Sequence, residues 1–226
     1  MKPWIGALAL VALCGAGAGL AIAMGDERPG SGSSTAALPT GKPAEAAGSP
    51  AIDRTAGQAS VIDHEFRRLA SSERVNLADA FGGQVLLVVN TASKCGLTPQ
   101  YEGLEALHDR FSAKGFAVLG FPSDDFMGQE FGDEGQIAEF CTLNFGVSFP
   151  MFEKVDVRGR EATPLFRQVA EATGDAPRWN FHKYLVGRDG RAIASFGSRT
   201  RPEAPEIVAA IEKALAAPKP STNVSS

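Results

Sequence analysis

Cysteine is scarce in this 226-residue chain: Cys14, Cys95 and Cys141 are all there is, and no two form a Cys-x-x-Cys pair. A disulfide-stapled scaffold is thereby excluded, and a dithiol oxidoreductase or cytochrome-maturation factor lacks its motif. Histidine is as thin, at His64, His108 and His182. Dispersed His and Cys do not make a zinc site, which draws on three or four ligands with close-set pairs, so no metal and no cofactor are expected. Positive charge is in slight deficit, 22 Lys and Arg against 26 Asp and Glu, and no basic stripe is interleaved with aromatics, so nucleic acid is not the partner. No internal repeat is visible.

What is present fits one globular domain, with 44% hydrophobic residues. Residues 1–25 read as targeting information: Lys2 precedes an uncharged stretch, Pro3 to Gly25, dominated by Leu8, Leu10, Val11, Leu13, Leu20 and Ile22. Ala21-Ile22-Ala23 has the small-x-small pattern of a signal-peptidase site, yet the stretch also has the roughly 20 residues that span a bilayer, so signal peptide and membrane anchor both stand. A lipoprotein acceptor at Cys14 is disfavoured by the bulk of Leu13 before it. Each reading exports the domain, to the periplasm or to a membrane facing the periplasm or exterior. Residues 26–58, rich in Gly, Ser, Ala, Pro and Thr without periodicity, read as a flexible linker; 59–217 as the folded domain; 218–226 as a disordered tail.

Within the domain, Val61 to Asn76 reads as a hairpin, 85–89 as a strand, 98–113 as a helix stopped by Gly115, and 116–121 as a second strand. Strand, helix and strand at this spacing make a parallel βαβ unit. Asp133 with Gln136 opens a helix over 133–144 at capping-box spacing, and 152–157 reads as a short strand. Pro164 and Gly174 bound a helix at 164–173. Strands 181–186 and 191–196 flank the Asp189-Gly190 turn, and a helix over 205–216 closes the domain. This is the plan of an α/β, thioredoxin-like three-layer domain with a central mixed β-sheet. Cys95 and the 122–130 segment follow the C-terminal ends of parallel strands, where open α/β sheets gather their sites; Trp179-Asn180 precedes a strand that, if antiparallel, begins at the same edge. Cys95 also precedes a helix start near Thr98, and a helix N-terminus favours a thiolate.

Taken singly, these residues have ordinary readings: Cys95 as a small buried hydrophobe, Cys141 as packing on the Ile137/Phe140 face, Trp179 as core or rim, Asn180 as a turn residue, Gln129 as surface. The ordered set changes that. Asn-Thr-Ala-Ser-Lys-Cys-Gly-Leu-Thr (90–98), Gly-Phe-Pro-Ser-Asp-Asp-Phe-Met-Gly-Gln-Glu (120–130), Phe-Gly-Val-Ser-Phe-Pro-Met-Phe (145–152) and Trp-Asn-Phe-His-Lys-Tyr-Leu-Val (179–186) resemble the glutathione peroxidase family, over about residues 60–216. The resemblance implies a thiol-dependent peroxidase in which Cys95 is the peroxidatic residue, Gln129, Trp179 and Asn180 complete the catalytic set, and Cys141 is the resolving Cys of the two-Cys branch. It implies hydrogen peroxide or organic hydroperoxides as substrate and a thioredoxin-like reductant or glutathione as electron donor. The short stretch between Pro164 and Trp179, where the family's tetramers carry an insertion, implies a monomer or weak dimer.

Departures are visible: Ser123, Asp124 and Asp125 stand where the family usually reads Cys-Asn-Gln, Phe131 replaces a Pro, and His182 a Thr. The resemblance places the acidic pair close to the expected thiolate, where it would raise the Cys95 pKa or steer anions away, and neither His64 nor His182 receives a role. The chemistry suits neutral donors. A free thiol with pKa about 8.5 is already a few per cent ionised near pH 7, so lowering that value gains at most about thirtyfold. Most of the acceleration must come from donors aimed at the charge developing on the leaving oxygen, which Trp179, Gln129 and Asn180 carry without titrating. The competing reading is a thiol redox sensor or relay that passes its oxidation to a partner protein. If Cys141 lies on the 133–144 helix, that helix is expected to unwind partly in each cycle, since a disulfide needs Cα atoms within about 7 Å.

Overall fold

Strands in which nearly every side chain is apolar need cover on both faces, and three of the four strands in the main sheet of this chain have it. The computed structural model describes residues 60–219, so the expected leader (1–25), linker (26–58) and most of the tail lie outside the described residues. The order is β1 (Glu65–Arg67), β2 (Arg74–Asn76), α1 (Leu77–Phe81), β3 (Val85–Thr91), α2 (Gln100–Phe111), β4 (Phe116–Pro122), α3 (Glu134–Phe145), α4 (Pro164–Thr173), β5 (Lys183–Val186), β6 (Ala192–Phe196) and α5 (Pro205–Ala216). A 3-10 turn at Ser112–Lys114 extends α2, and Gly115, left-handed at φ 84°, ends it as expected.

β4, β3, β5 and β6 form one sheet in that order; β3 is parallel to β4 and antiparallel to β5. Every residue of β3, β4 and β5 is buried. The period-2 alternation sorts them: Leu86, Val88, Leu119, Phe121, Tyr184 and Val186 pack with Leu165, Phe166 and Val169 of α4. Val85, Leu87, Val89, Val118 and Leu185 face the opposite layer, where Leu104, Leu107 and Phe111 of α2 meet Ile207 and Ile211 of α5. That is the expected thioredoxin-like three-layer arrangement with a mixed sheet.

Two expectations need correction. Residues 152–157 form no strand: Met151 and Phe152 make single bridges, to Gly120 and Arg68. Beyond them the backbone is claimed piecemeal, Val155 N–H by the Pro122 carbonyl (2.9 Å) and Val157 N–H by the Asp125 carboxylate (2.6 Å), which leaves no continuous ladder. Conversely α1 was not expected. It is a single turn, too short for a periodic signal, and the Asn76 side chain caps it by accepting from Ala78 N–H and Asp79 N–H. Among the described residues, no helix is long and apolar enough to cross a membrane.

Candidate active site

Because β3 runs with β4 and against β5, the segments that follow β3 and β4 and the segment that precedes β5 emerge at one edge of the sheet. Cys95 lies on the first. It sits in a tight turn in which Thr98 N–H donates to the Cys95 carbonyl (3.0 Å) and Cys95 N–H donates to Thr98 Oγ1 (3.1 Å). The α2 helix starts at Gln100, later than expected, because the residue before Pro99 is disfavoured in the α region. The backbone group that reaches the sulfur is therefore not part of the helix. It is Leu97 N–H, which donates to Sγ at 3.4 Å.

Cys95 (8% exposed), Gln129 and Trp179 line one cavity of about 1020 Å³, together with Gly96, Leu97, Asp175, Arg178, His182 and Arg199 among others. Asn180 is placed differently from the other expected donors. It is fully buried behind that wall and donates Nδ2–H to Gln129 Oε1 at 3.0 Å. With its oxygen taken, Gln129 has its amide N–H groups left to donate. The Trp179 ring leans on Phe126, 5.7 Å between centroids, so the β4–α3 loop supports the indole.

Backbone stitching sets these positions. Lys94 N–H donates to the Gln129 carbonyl (2.8 Å) and Ser93 N–H to Glu130 Oε1 (3.1 Å), locking the Cys95 loop to the Gln129 loop. Glu130 is buried, and burial raises its carboxyl above the usual range, against the lowering effect of its hydrogen bonds from Ser93 and Phe131. On the other side, Asn90 at the end of β3 donates Nδ2–H to the Trp179 carbonyl (3.2 Å) and accepts His182 N–H on Oδ1 (3.0 Å). Its carbonyl accepts Phe181 N–H at 2.7 Å. Phe181 itself has φ 63°, unfavourable for a residue with a Cβ, and Met127, two residues before Gln129, has φ 61°. Such strain persists only where surroundings over-determine it. For Phe181 they do: Asn90 holds its N–H and the Lys183 ammonium its carbonyl.

Asn90, Glu130 and Lys183 were given no role by sequence reasoning. For Asn90 a signal existed, a lone amide ending an apolar strand; for Lys183 it was a cation at the start of a fully buried one. Lys183 Nζ donates to the carbonyls of Phe181 (2.6 Å) and Thr200 (2.8 Å). Burial pushes the amine down to about 7, with Glu203 pulling the other way. The unfolded lysine titrates near 10.4, so between about pH 7 and pH 10.4 the unfolded chain binds the extra proton. The cost of burying the ammonium is complete below about pH 7 and shrinks as pH rises across that window. Denaturation midpoints of the wild type are expected to gain on those of Lys183→Met between pH 6.5 and pH 9.5; parallel curves would contradict it.

The acidic pair turns out to be occupied elsewhere. Asp124 pairs with Lys154 Nζ (2.5 Å) and accepts Glu130 N–H, while Asp125 accepts the N–H groups of Val157 and Arg158. Neither is among the residues lining the Cys95 cavity; both hold the loop that presents Gln129.

Cys141 lies on α3, buried and in no disulfide among the described residues, in the same apolar layer as Cys95 but not among the residues lining the cavity. Burial pushes its thiol up to about 11; the Tyr101 hydroxyl opposes that shift and the Glu130 charge adds to it. The wholly buried Tyr101 hydroxyl stands beside the Cys141 thiol and the Thr91 hydroxyl without closing a well-formed hydrogen bond to either. Within α3 only Ile137 and Cys141 are buried. Its first turn is anchored, Asp133 capping Gln136 N–H and Glu134 gripping Arg67 through both oxygens (2.7 and 2.8 Å). Its last turn exposes Thr142, Leu143 and Asn144, while Phe145 packs on Tyr101 and Phe140. Among the described residues, no cluster of three His, Cys, Asp or Glu is arranged to hold a metal ion.

Comparison with known proteins adds an independent line. The sequence profile described as glutathione peroxidase matches residues 63–170. A glutathione peroxidase homologue, BsaA, of Halalkalibacterium halodurans is 51% identical over 144 residues, 62% of this chain and 91% of that protein. A hydroperoxy fatty acid reductase of Synechocystis is 50% identical over 145 residues, 60% of this chain and 85% of that protein. Among solved structures, the apo form of Trgpx superposes with a TM-score of 0.59 at 34% identity, covering 73% of this chain and 100% of the other.

Proposed function

Because this chain belongs to the glutathione peroxidase family, a family of peroxidases, we propose that it reduces hydrogen peroxide or organic hydroperoxides through a Cys95 sulfenic acid and a Cys95–Cys141 disulfide. The observation that carries the reading is the shared cavity of Cys95, Gln129 and Trp179, with Asn180 fixing Gln129 from behind.

The Cys95 thiolate attacks the terminal peroxide oxygen. An S–O bond forms as the O–O bond breaks, and the electron pair departs on the second oxygen. Preorganised neutral donors, the Trp179 indole N–H and a Gln129 amide N–H, lower the energy of that developing anion; removing one such donor typically costs about 10²–10³ in rate. Asn180 acts by holding Gln129 in the donating orientation.

Sulfenic acid must then meet a second thiol before it oxidises further. Cys141 attacks the Cys95 sulfur, the S–S bond forms and water leaves, taking the proton of the Cys141 thiol. The C-terminal turns of α3, exposed at Thr142, Leu143 and Asn144, unwind to allow this, while the Arg67–Glu134 anchor keeps its first turn in place. In the disulfide form, amides 138–144 are expected to lose hydrogen-exchange protection; full protection there would end this account of the resolving step.

A thioredoxin-like dithiol or glutathione returns the disulfide to two thiols. The name of the Synechocystis relative brings hydroperoxides of fatty acids into the substrate range. The uncharged N-terminal stretch supports export of the domain. The deciding experiment is steady-state turnover of the full chain with peroxide and reduced thioredoxin, with glutathione in parallel. Sustained, enzyme-proportional oxidation of the donor is expected. Oxidation that halts after one equivalent per chain with every donor would instead make the protein a redox sensor or relay.

A further inference from the structure

Apart from Cys95, His182 is the buried titratable side chain among those lining the Cys95 cavity. His182 is 2% exposed, its Nε2 has no hydrogen-bond partner among the described residues, and it lines the same cavity as Cys95, Gln129 and Trp179. A buried polar atom left unpaired costs about 1–3 kcal/mol, so a fold that retains one at the edge of a reaction cavity invites a ligand there. The position is held firmly. His182 N–H donates to Asn90 Oδ1, and its ring packs on Tyr184 at 4.7 Å between centroids.

Resting on the peroxidase reading, we propose that His182 is a catalytic acid–base residue of peroxide reduction in this chain, receiving the proton of the Cys95 thiol and delivering it to the leaving oxygen. The step balances without a co-reactant. The thiol proton passes to His182 Nε2, through cavity water where the two are not in contact, and the thiolate attacks the terminal oxygen. As the S–O bond forms and the O–O bond breaks, the leaving oxygen takes the electron pair and then the proton from the imidazolium. Cys95 ends as sulfenic acid, the peroxide as alcohol or water, and His182 as it began.

The groups around the ring fit both halves of that cycle. Burial holds the imidazole below its ordinary value, and Lys183 on β5 and Arg178 on the preceding segment push the same way, so the ring rests neutral and able to accept a proton. Asp175, on the turn after α4, opposes them: its Oδ2 stands 3.6 Å from Nε2 and also accepts from Ser195 on β6. It steadies the imidazolium once formed. Arg199, beyond β6, lines the same cavity. The neutral donors of the site stabilise an anion but cannot end its charge; His182 can. Its effect is greatest for hydroperoxides whose leaving alkoxide is strongly basic.

That dependence supplies the test. The rate of Cys95 oxidation in the full chain is measured in single turnovers across a series running from tert-butyl hydroperoxide to a peracid. The wild type is expected to vary little along the series. In His182→Thr, the residue the family usually carries there, and in His182→Gln, the rate with tert-butyl hydroperoxide is expected to fall by about 10²-fold, while the peracid, whose leaving carboxylate needs no proton, is hardly affected. Parallel series in wild type and variants overturn the proposal. The wild type alone gives a second reading: a normal solvent deuterium isotope effect with tert-butyl hydroperoxide that vanishes with the peracid. Equal isotope effects for the two substrates overturn it whether or not either variant folds. If no hydroperoxide oxidises Cys95, the peroxidase reading itself falls; if Cys95 is oxidised and the slopes match, only the role of His182 does.

Discussion

Replacing Cys95 by Ser is expected to abolish peroxide reduction, with a loss on the order of 10⁴-fold or more in the second-order rate constant, the scale of removing a nucleophile. A serine hydroxyl is un-ionised near neutral pH, and sulfur's capacity to accept an oxygen atom and give it up to a thiol has no counterpart at a hydroxyl. The substitution suits the site sterically. Cys95 is buried, its backbone N–H and carbonyl are held by Thr98, and a serine Oγ can accept the Leu97 N–H that Sγ accepts, so the turn is expected to survive. Rates are measured by loss of hydroperoxide and folding by the denaturation midpoint. A folded Cys95→Ser protein that kept even a tenth of the activity would move the chemistry to another residue.

Replacing Cys141 by Ser separates the two halves of the cycle. The first turnover is expected at the wild-type rate, because Cys141 is not among the residues lining the Cys95 cavity. Later turnovers with thioredoxin are expected to stop, and the intact mass to rise by roughly 16 Da for sulfenic acid and then roughly 32 Da for sulfinic acid as peroxide persists. In the wild type the same treatment gives a loss of roughly 2 Da, one disulfide, that reductant reverses. The serine hydroxyl enters a buried place beside Tyr101, at an expected cost of about 1–2 kcal/mol in stability, so Cys141→Ala serves as the companion variant. Undiminished turnover with thioredoxin in either variant would remove Cys141 from the cycle.

Secondary structure was largely legible because its signals are local. Pro164 and Gly174 bound a helix where the structure has one, and the apolar runs read at 85–89 and 116–121 lie within strands Val85–Thr91 and Phe116–Pro122, buried on both faces. The convergence of Cys95, Gln129 and Trp179 was also legible, once parallel and antiparallel pairing put three segments at one sheet edge. Local reading failed where a hydrogen bond decided the outcome. Residues 152–157 have strand-like residues but no ladder partner, and α2 begins after Pro99 rather than at Thr98.

Sequence by itself determined which residue types the chain can bring to its chemistry: a thiol, an indole and two carboxamides, in an order and spacing that one family uses. Tertiary structure alone decided how they are used. It put Asn180 behind Gln129 instead of beside it, and turned Asp124 and Asp125 away to Lys154 and the 157–158 backbone. It also buried Lys183 under two carbonyls and left His182 with an open nitrogen. Composition and periodicity report how much of a side chain is hidden, because burial scales with apolar area and repeats with the geometry of helix and strand. The direction in which an amide or an imidazole points depends on partners far away in the chain, and only the folded backbone supplies them.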